Sequence, residues 1–313
     1  MLDVCSWFPV KSLIITDSWD KTSDIVIRRL EDEVFRLNTD IIRDYQIEWD
    51  CNGFCISDPT GRSVRLSDIG SVYWRKPFTL SAYDEPSHPD YYFLCEARYL
   101  VREIYNAARS AGAFALVEEG AERRLGKLSQ LRIAQRYFRV PNWKVTLGRP
   151  VLAPSNTVAK SLAGEPVSSE TVLYTTRVDG CELSASYVWL TQEAIEKSSD
   201  LTVCFVDGKV FAFDLPAIAG VTDWRSTLGK PESQEWRLVE LSPDIVQAIG
   251  NFMAECGLRY GRLDFVSDRR EIYFLEVNPN GQWAWLDLTD RHGLISAMLD
   301  AMRGLGQNNQ PQA

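Results

Sequence analysis

The chain is poor in histidine, and its cysteines do not form a zinc-binding pattern. Only His88 and His292 occur among 313 residues, which leaves little material for a serine–histidine or cysteine–histidine catalytic pair. The seven cysteines are scattered, with Cys51 and Cys55 as the one close pair, so no zinc site is predicted. An odd number of scattered cysteines indicates reduced thiols, and we therefore expect a cytoplasmic protein.

Long apolar runs and an excess of positive charge are also missing. No stretch approaches the roughly 20 apolar residues of a membrane span, and the first residues lack the pattern of a secretion signal. The formal charge of −9 argues against general attraction to nucleic acid or to an anionic membrane. We therefore expect neither as a partner, although a local basic pocket for phosphates stays compatible with this charge.

The first third of the chain alternates strand-like and helix-like segments, which predicts a small α/β domain over residues 1–117. Helical spacing covers 23–37 and again 90–113. Residues 71–77 (Ser-Val-Tyr-Trp-Arg-Lys-Pro) are typical of a buried strand that ends in a basic loop. In that loop Arg75 is either a functional residue or a surface cation before a proline.

A second domain is predicted over residues 118–303. Residues 142–200 form a smaller lid subdomain in this interpretation, and a hairpin is expected at 171–189 because Asp179-Gly180 is a strong turn signal. The tail 304–313 is rich in Gln and Asn and is predicted to be disordered. The other predicted elements are a helix over 122–134, strands over 143–146 and 157–160, a hairpin around 207–208, and helices over 242–256 and 294–303.

Oxygen-bearing side chains converge on a predicted hairpin near the end of the chain. Two strand-like runs, 263–266 and 272–277, flank a polar turn. Because side chains alternate along a strand, Glu276 and Asn278 share one face, and Asp264 on the neighbouring strand joins them. Two carboxylates and an amide carbonyl suit Mg²⁺ held together with nucleotide phosphates. A plain acidic turn would not explain charges set among Leu, Phe and Val.

A lysine ends the apolar strand predicted at 157–160. Lys160 precedes a loop of small residues around Gly164, and such a lysine can lie beside phosphates. Exposed lysines at strand ends are common, so this lysine alone is a weak signal for a phosphate site. Its position before the acidic hairpin strengthens that interpretation. The chain has no GxxxxGK[ST] loop, and a bound nucleotide must be held in another way.

The order of these elements resembles the ATP-grasp superfamily of carboxylate ligases over about residues 122–299. The acidic hairpin is similar to the magnesium signature of that family, with the acid twelve positions before the glutamate and the asparagine two after it. The resemblance implies an α/β (α+β) ATP-grasp fold with an N-terminal pre-ATP-grasp domain. It also implies ATP and one or two Mg²⁺ ions as cofactors, with Lys127 and Lys160 on the phosphates.

The same resemblance implies how the nucleoside is bound. Gln192, Glu193, Ala194 and Ile195 match the hinge that receives adenine through backbone groups. Asp200 matches the acid placed for the ribose.

Residues 223–227 (Asp-Trp-Arg-Ser-Thr) are similar to the segment whose arginine faces the reacting phosphate and carboxylate. The resemblance thus implies catalytic roles for Asp223, Arg225 and Lys160, with Asp223 as a candidate base. Arg225 and Thr227 are also expected to contact the cofactor. Many relatives carry an arginine two places after the ribose acid, where this chain has Thr202.

Three segments resemble a narrower group, the ribosomal-peptide maturases that make microviridins and related graspetides. They are residues 72–77, 223–225 and 278–285. Those enzymes join Asp or Glu side chains of a precursor peptide to Lys amines or to Ser and Thr hydroxyls. The resemblance implies a precursor with a leader and a core of such residues as partner, and a homodimer. The 171–189 hairpin is then either a plain turn or a grip for the leader by strand addition.

Three functions follow as alternatives. The first is a macrocyclase that forms ω-ester or ω-amide crosslinks through an acyl phosphate. The second is an ATP-grasp ligase that adds a free amino acid to a small molecule or a protein tail. The third is a peptide-binding scaffold that has lost catalysis; Thr202 is the one hint of it, and the intact Asp264, Glu276 and Asn278 argue against it.

Overall fold

The computed structural model describes residues 11–78, 86–163, 174–228 and 235–303. The loop around Gly164, the first three residues of the predicted 171–189 hairpin and the tail 304–313 lie outside these ranges. The described strands are β1 (Lys11–Thr16), β2 (Val34–Asn38), β3 (Gln46–Asp50), β4 (Gly53–Ser57), β5 (Ser63–Arg65), β6 (Ile69–Trp74), β7 (Phe114–Ala115), β8 (Trp143–Thr146), β9 (Val151–Leu152), β10 (Thr157–Lys160), β11 (Thr176–Arg177), β12 (Glu182–Leu183), β13 (Trp189–Glu193), β14 (Ser199–Val206), β15 (Lys209–Pro216), β16 (Arg237–Val239), β17 (Tyr260–Ser267) and β18 (Ile272–Asn278). The described helices are α1 (Lys21–Leu30), α2 (Tyr91–Ser110), α3 (Ala121–Arg124), α4 (Lys127–Ala134), α5 (Pro243–Glu255) and α6 (Leu294–Met302).

A four-stranded parallel sheet in the order β2-β1-β6-β7 organises the first third of the chain. Alternate residues of β1 enter two cores: Leu13 and Ile15 join the core that includes Val101 of α2, while Ile14 packs in the core that includes Leu294 of α6. Both faces of the sheet are therefore covered, which explains the continuous apolar run in β1. The three-stranded sheet β3-β4-β5 is antiparallel.

The predicted helix over 23–37 is wrong beyond Leu30. Helix α1 ends there, Glu31 adopts a φ of 47°, and β2 then pairs with β1 in parallel. Val34, Phe35 and Leu37 are all buried, so pairing with the central strand outweighs helical spacing. The predicted helix at 90–113 and strand at 71–77 are confirmed as α2 and β6.

Two antiparallel sheets organise the remaining chain, a five-stranded one in the order β16-β15-β14-β17-β18 and a four-stranded one in the order β11-β10-β13-β8. The Asp207-Gly208 turn joins β14 to β15 with positive φ at both residues, as this turn type requires. Ser242 caps α5 by accepting a hydrogen bond from the N–H of Ile245 at 3.4 Å. The acidic hairpin β17-β18 forms as predicted. The domain limits, 1–117 and 118–303, and the 142–200 lid stay predictions.

Two predicted elements in this half differ from the structure. The helix over 122–134 is divided into α3 and α4, because Gly126 is extended and begins the second helix at Lys127. In the described part of the 171–189 hairpin, β11 pairs with β10 and β12 with β9, so the two arms do not pair with each other. The turn itself exists, but Asp179 accepts a hydrogen bond from the N–H of Thr157 and thereby joins it to β10.

None of the helices in the described ranges combines the length and the apolar character that crossing a bilayer needs.

Candidate active site

A cavity of about 770 Å³ lies between the four-stranded and the five-stranded antiparallel sheets. Its volume is in the range of cofactor and substrate sites. Of the residues predicted for the site, all but Thr227 and Asn278 line it. Those that line it are Lys127, Lys160, Gln192, Glu193, Ala194, Ile195, Asp200, Asp223, Arg225, Asp264 and Glu276.

The two acids of the hairpin are opposite each other. Asp264 of β17 is the register partner of Glu276 of β18, and a β-bulge follows directly after Asp264. Bulges often re-aim side chains next to functional sites. Asp264 accepts hydrogen bonds from the Thr202 hydroxyl at 2.8 Å, from Arg225 at 3.0 Å and from Arg262 at 3.1 Å. A buried carboxylate is thus held in place by three donors.

Burial alone would raise the pKa of Asp264, because a carboxylate is poorly solvated there. The guanidinium groups of Arg262 and Arg225 and the hydroxyl of Thr202 outweigh that effect and bring the pKa below its usual value. Asp264 is therefore ionised at neutral pH, which is the state that a divalent cation requires of its ligand.

The carboxylate of Glu276 lies close to Lys127 and Arg225, and its charge also acts on Lys160. The ammonium of Lys127 is 3.3 Å from one of its oxygens, and the guanidinium of Arg225 is 3.9 Å from the other. Lys127 also donates to the carbonyl of Ser161 at 3.0 Å, next to Lys160 at the end of β10. Burial lowers the pKa of Lys160, Glu276 opposes this shift, and the charge of Lys127 adds to it. Positive charge gathered in one cavity favours a polyanion such as a triphosphate.

The carboxylates of Asp264 and Glu276 suit a Mg²⁺ ion that is bound together with phosphate groups. Within the described ranges, no three His, Cys, Asp or Glu side chains are grouped as a metal site made by protein alone. Mg²⁺ characteristically takes only one or two carboxylates and completes its shell with phosphate and water oxygens. Asp264 and Glu276 supply that number.

Asn278 and Thr227 do not line the cavity. Asn278 shares the strand face of Glu276 two residues away, and its side-chain oxygen accepts a hydrogen bond from the N–H of Asn280 at 3.0 Å. The hydroxyl of Thr227 donates to the carbonyl of Trp224 at 2.7 Å. Thr227 therefore stabilises the short 3-10 turn over Trp224–Thr227, which positions Arg225.

The segment predicted to receive adenine borders the same cavity. Gln192 is buried, and its side-chain nitrogen has no hydrogen-bond partner among the described residues. Asp200 is also buried, and both of its oxygens accept hydrogen bonds from Lys197, at 2.9 and 2.7 Å. Burial raises the pKa of Asp200 and the charge of Lys197 opposes that rise. This lysine was not predicted, although its spacing of three residues from an acid was visible in the sequence.

No family model and no curated protein sequence matches the chain. Solved structures match nearly all of it. A RiPP-associated ATP-grasp ligase from Chryseobacterium gregarium, in complex with ADP and a leader and core peptide, is 23% identical with a TM-score of 0.76, over 96% of this chain and 98% of that one. The chain has the ATP-grasp fold.

Two further solved structures match this chain over a similar share of its length. The macrocyclase MdnC from Microcystis aeruginosa MRC, bound with precursor peptide MdnA, is 19% identical with a TM-score of 0.73, over 93% of this chain and 98% of that one. The ATP-grasp ligase PsnB, complexed with a phosphomimetic variant of a minimal precursor, Mg and ADP, is 14% identical with a TM-score of 0.69, over 94% and 98%. The predicted ATP-grasp fold is thus confirmed.

An aromatic cluster beside the cavity was not predicted. The rings of Trp224, Trp236 and Trp285 pack against one another with centroids 5.2 to 5.7 Å apart. The guanidinium of Arg225 lies 5.2 Å from the ring centroid of Trp224. Flat rings on one side restrict the rotamers of Arg225, so the cluster supports the orientation of that cation. The only signal in the sequence was the tryptophan between Asp223 and Arg225.

Arg75 is not a surface cation. Its side chain is completely buried, with its guanidinium 3.3 Å from the carboxylate of Asp20, and it donates to the carbonyl and side-chain oxygens of Asn280 at 2.7 and 2.9 Å. Asn280 lies two residues beyond Asn278 and four beyond Glu276. Arg75 thereby ties the N-terminal sheet to the loop that follows the acidic strand β18.

Replacing Thr202 by valine is expected to weaken Mg²⁺ binding. Valine keeps the shape but removes the hydroxyl that orients Asp264, and losing such a supporting contact typically lowers metal affinity about 10- to 100-fold. The concentration of Mg²⁺ that gives half-maximal ADP release should rise by that factor. Thr202→Ser keeps the hydroxyl and should remain within about threefold of the wild type. Equal Mg²⁺ requirements in all three proteins would show that Thr202 does not position Asp264.

Proposed function

We propose that this chain is an ATP-dependent carboxylate ligase that forms ω-ester or ω-amide crosslinks between side chains of a ribosomally made precursor peptide. The observation that carries the proposal is the pairing of Asp264 and Glu276 with Lys127, Lys160 and Arg225 in one cavity between the two sheets. The overall likeness to ligases solved with precursor peptides supports the choice of a peptide as substrate.

In this proposal Lys127 and Lys160 bind the phosphates of ATP. Asp264, Glu276 and Asn278 would hold one or two Mg²⁺ ions, and these would supply positive charge against the phosphates. Placing cations around a transferring phosphoryl group is the main contribution that proteins make to this class of reaction. The adenine is received by Gln192, Glu193, Ala194 and Ile195, and the ribose by Asp200.

A carboxylate is a poor electrophile, because its charge repels nucleophiles and oxide does not leave. Transfer of the γ-phosphoryl group from ATP to a carboxylate oxygen gives an acyl phosphate and ADP. A Lys amine or a Ser or Thr hydroxyl then attacks the carbonyl carbon, the C–O bond to phosphate breaks, and inorganic phosphate leaves. Arg225 is positioned to bind the carboxylate and phosphate oxygens by its two-pronged guanidinium.

Asp223 is the proposed base that takes the proton from the nucleophile. It is buried beside Arg225, and its carboxylate accepts hydrogen bonds from the N–H groups of Arg225 at 3.0 Å and Thr175 at 3.3 Å. Both contacts fix the orientation of this carboxylate within the cavity. Water must be excluded during the reaction, because acyl phosphates hydrolyse.

The proposed partner is a precursor with a leader segment and a core that contains Asp or Glu together with Ser, Thr or Lys. We further propose a homodimer that works in the cytoplasm. The odd number and the scattered spacing of the seven cysteines are the basis for proposing a reducing compartment.

The direct test combines the protein, ATP and Mg²⁺ with the short peptide encoded in the reading frame next to its gene. We expect one ADP and a mass loss of about 18 Da, one water, for each bond formed. Free amino acids in place of the peptide should give no ADP above background. ADP release with free amino acids, or an unchanged peptide mass after ADP release, would contradict peptide crosslinking.

A further inference from the structure

A strained backbone segment follows β6 where the N-terminal sheet meets the acidic hairpin. Lys76 has a φ of 46° and Phe78 a φ of 57°. Neither is glycine, and side chains other than glycine, asparagine and aspartate rarely adopt this left-handed conformation. Strain of this kind persists only where the surroundings impose it, and it concentrates at functional sites.

The surroundings hold this segment at both ends. The N–H of Arg75 donates to the carbonyl of Ile15 at 2.8 Å. The N–H of Phe78 donates to the hydroxyl of Thr39 at 2.9 Å and to the carboxylate of Asp17 at 3.2 Å. The conformation of Lys76 is therefore fixed by its neighbours and does not depend on contacts of its own side chain.

The ammonium of Lys76 is half-buried and has neither a hydrogen bond nor an ion pair with any of the described residues. Burial lowers its pKa, and the nearby charges of Arg75 and Arg262 lower it further, while Glu122 and Asp20 act in the opposite direction. A partly desolvated ammonium that makes no ion pair of its own is an attractive position for an anion.

This cationic group adjoins the proposed catalytic centre but lies outside the nucleotide cavity. Lys76 does not line that cavity. The loop over residues 280–282 joins the two regions. Arg75, next to Lys76 in the chain, donates to the carbonyl of Asn280 at 2.7 Å, and Arg262 donates to the carbonyl of Gln282 at 3.2 Å while it lies 3.1 Å from the Asp264 carboxylate. In the cavity Lys127 and Lys160 are proposed for the phosphates, and Arg225 for both the phosphate and the carboxylate oxygens. The carboxylate to be activated is therefore the anion for which a further cation outside the cavity is useful.

We propose that Lys76 binds the acidic side chain of the peptide substrate and presents it to the phosphorylation site. The proposal rests on the function proposed above and names its specificity-determining cation. The ammonium of Lys76 favours an ionised carboxylate over a neutral amide. The backbone contacts at both ends of the segment fix the point from which the side chain of Lys76 extends.

The test is equilibrium binding of the neighbouring-frame peptide and of a copy in which every core Asp and Glu is replaced by Asn and Gln. The wild type should bind the acidic peptide about 10-fold more tightly than the amide peptide. Lys76→Met should remove this preference and leave ADP binding unchanged. Lys76→Arg should retain part of it. Lys209→Met, an exposed lysine on β15, is the matched control and should bind as the wild type does.

Lys76→Gly gives a second, independent readout. Glycine accepts a φ of 46° without strain, so the melting temperature should be no lower than that of the wild type, while the preference for the acidic peptide is lost. A lower melting temperature with unchanged binding would overturn the proposal. So would a Lys76→Met variant that weakens both peptides equally or neither. A wild-type protein that binds neither peptide would contradict the proposed function together with this site.

Discussion

Replacing Glu276 by glutamine is expected to lower peptide-dependent ADP release by about 10²- to 10³-fold. Glutamine keeps the shape of the side chain but removes one of the two negative charges available to Mg²⁺ in the cavity. It also leaves Lys127, which lies 3.3 Å from the Glu276 carboxylate, without its ion-pair partner. ADP release should be followed at saturating ATP and at several Mg²⁺ concentrations.

Glu271 offers a matched control for this substitution. It lies at the turn of the same hairpin, outside the cavity, and is paired with Arg139 on the surface. Glu271→Gln should keep ADP release within about twofold of the wild type, because exposed ion pairs contribute little. If Glu276→Gln retained as much activity as Glu271→Gln, the acidic hairpin would not be the catalytic centre. A strong loss confined to Glu276→Gln would exclude the inactive scaffold as the function of this chain.

Replacing Arg75 by methionine should destabilise the protein by about 3 to 5 kcal/mol. Methionine fills much of the space but leaves Asp20 without its cation and Asn280 without its donor, both away from solvent. The free energy of unfolding from urea titration measures the effect. Asp20→Asn in the same chain should recover part of the loss, because the unpaired charge is then removed.

The matched control for Arg75 is Arg29, which forms an ion pair with Asp290 on the surface. Arg29→Met should change the free energy of unfolding by at most about 1 kcal/mol. Equal losses for the two substitutions would show that the contact between the N-terminal sheet and the loop at Asn280 does not stabilise the fold. A loss confined to Arg75→Met would show that the contact between the N-terminal sheet and the loop at Asn280 stabilises the fold.

Elements with a strong local signal were predicted correctly from the sequence. The Asp207-Gly208 turn, the capped start of α5 and the β17-β18 hairpin each depend on residues within a few positions of one another. The errors arose where contacts with residues far away in the sequence determine the secondary structure. Residues 34–38 have helical spacing but pair with β1, and the Asp179-Gly180 turn contacts β9 and β10 instead of closing its own hairpin.

The candidate site shows the same division. Most of the residues predicted for the site line the cavity, but the contacts that support them were not foreseen. Arg75 meets Asn280 across 205 positions, and Thr202 meets Asp264 across 62. The local sequence around Arg75 and around Thr202 does not indicate these partners, because each contact exists only once the sheets have formed. Burial of Arg75 was missed for the same reason.

The measurement that tests the central claim most directly follows oxygen from the peptide to phosphate. The side-chain carboxylates of the precursor are labelled with a heavy oxygen isotope, and the inorganic phosphate released during crosslinking is analysed by mass spectrometry. If the carboxylate is activated as an acyl phosphate, each phosphate released with a new bond carries one labelled oxygen. Crosslinked peptide accompanied by unlabelled phosphate would contradict activation at the carboxylate.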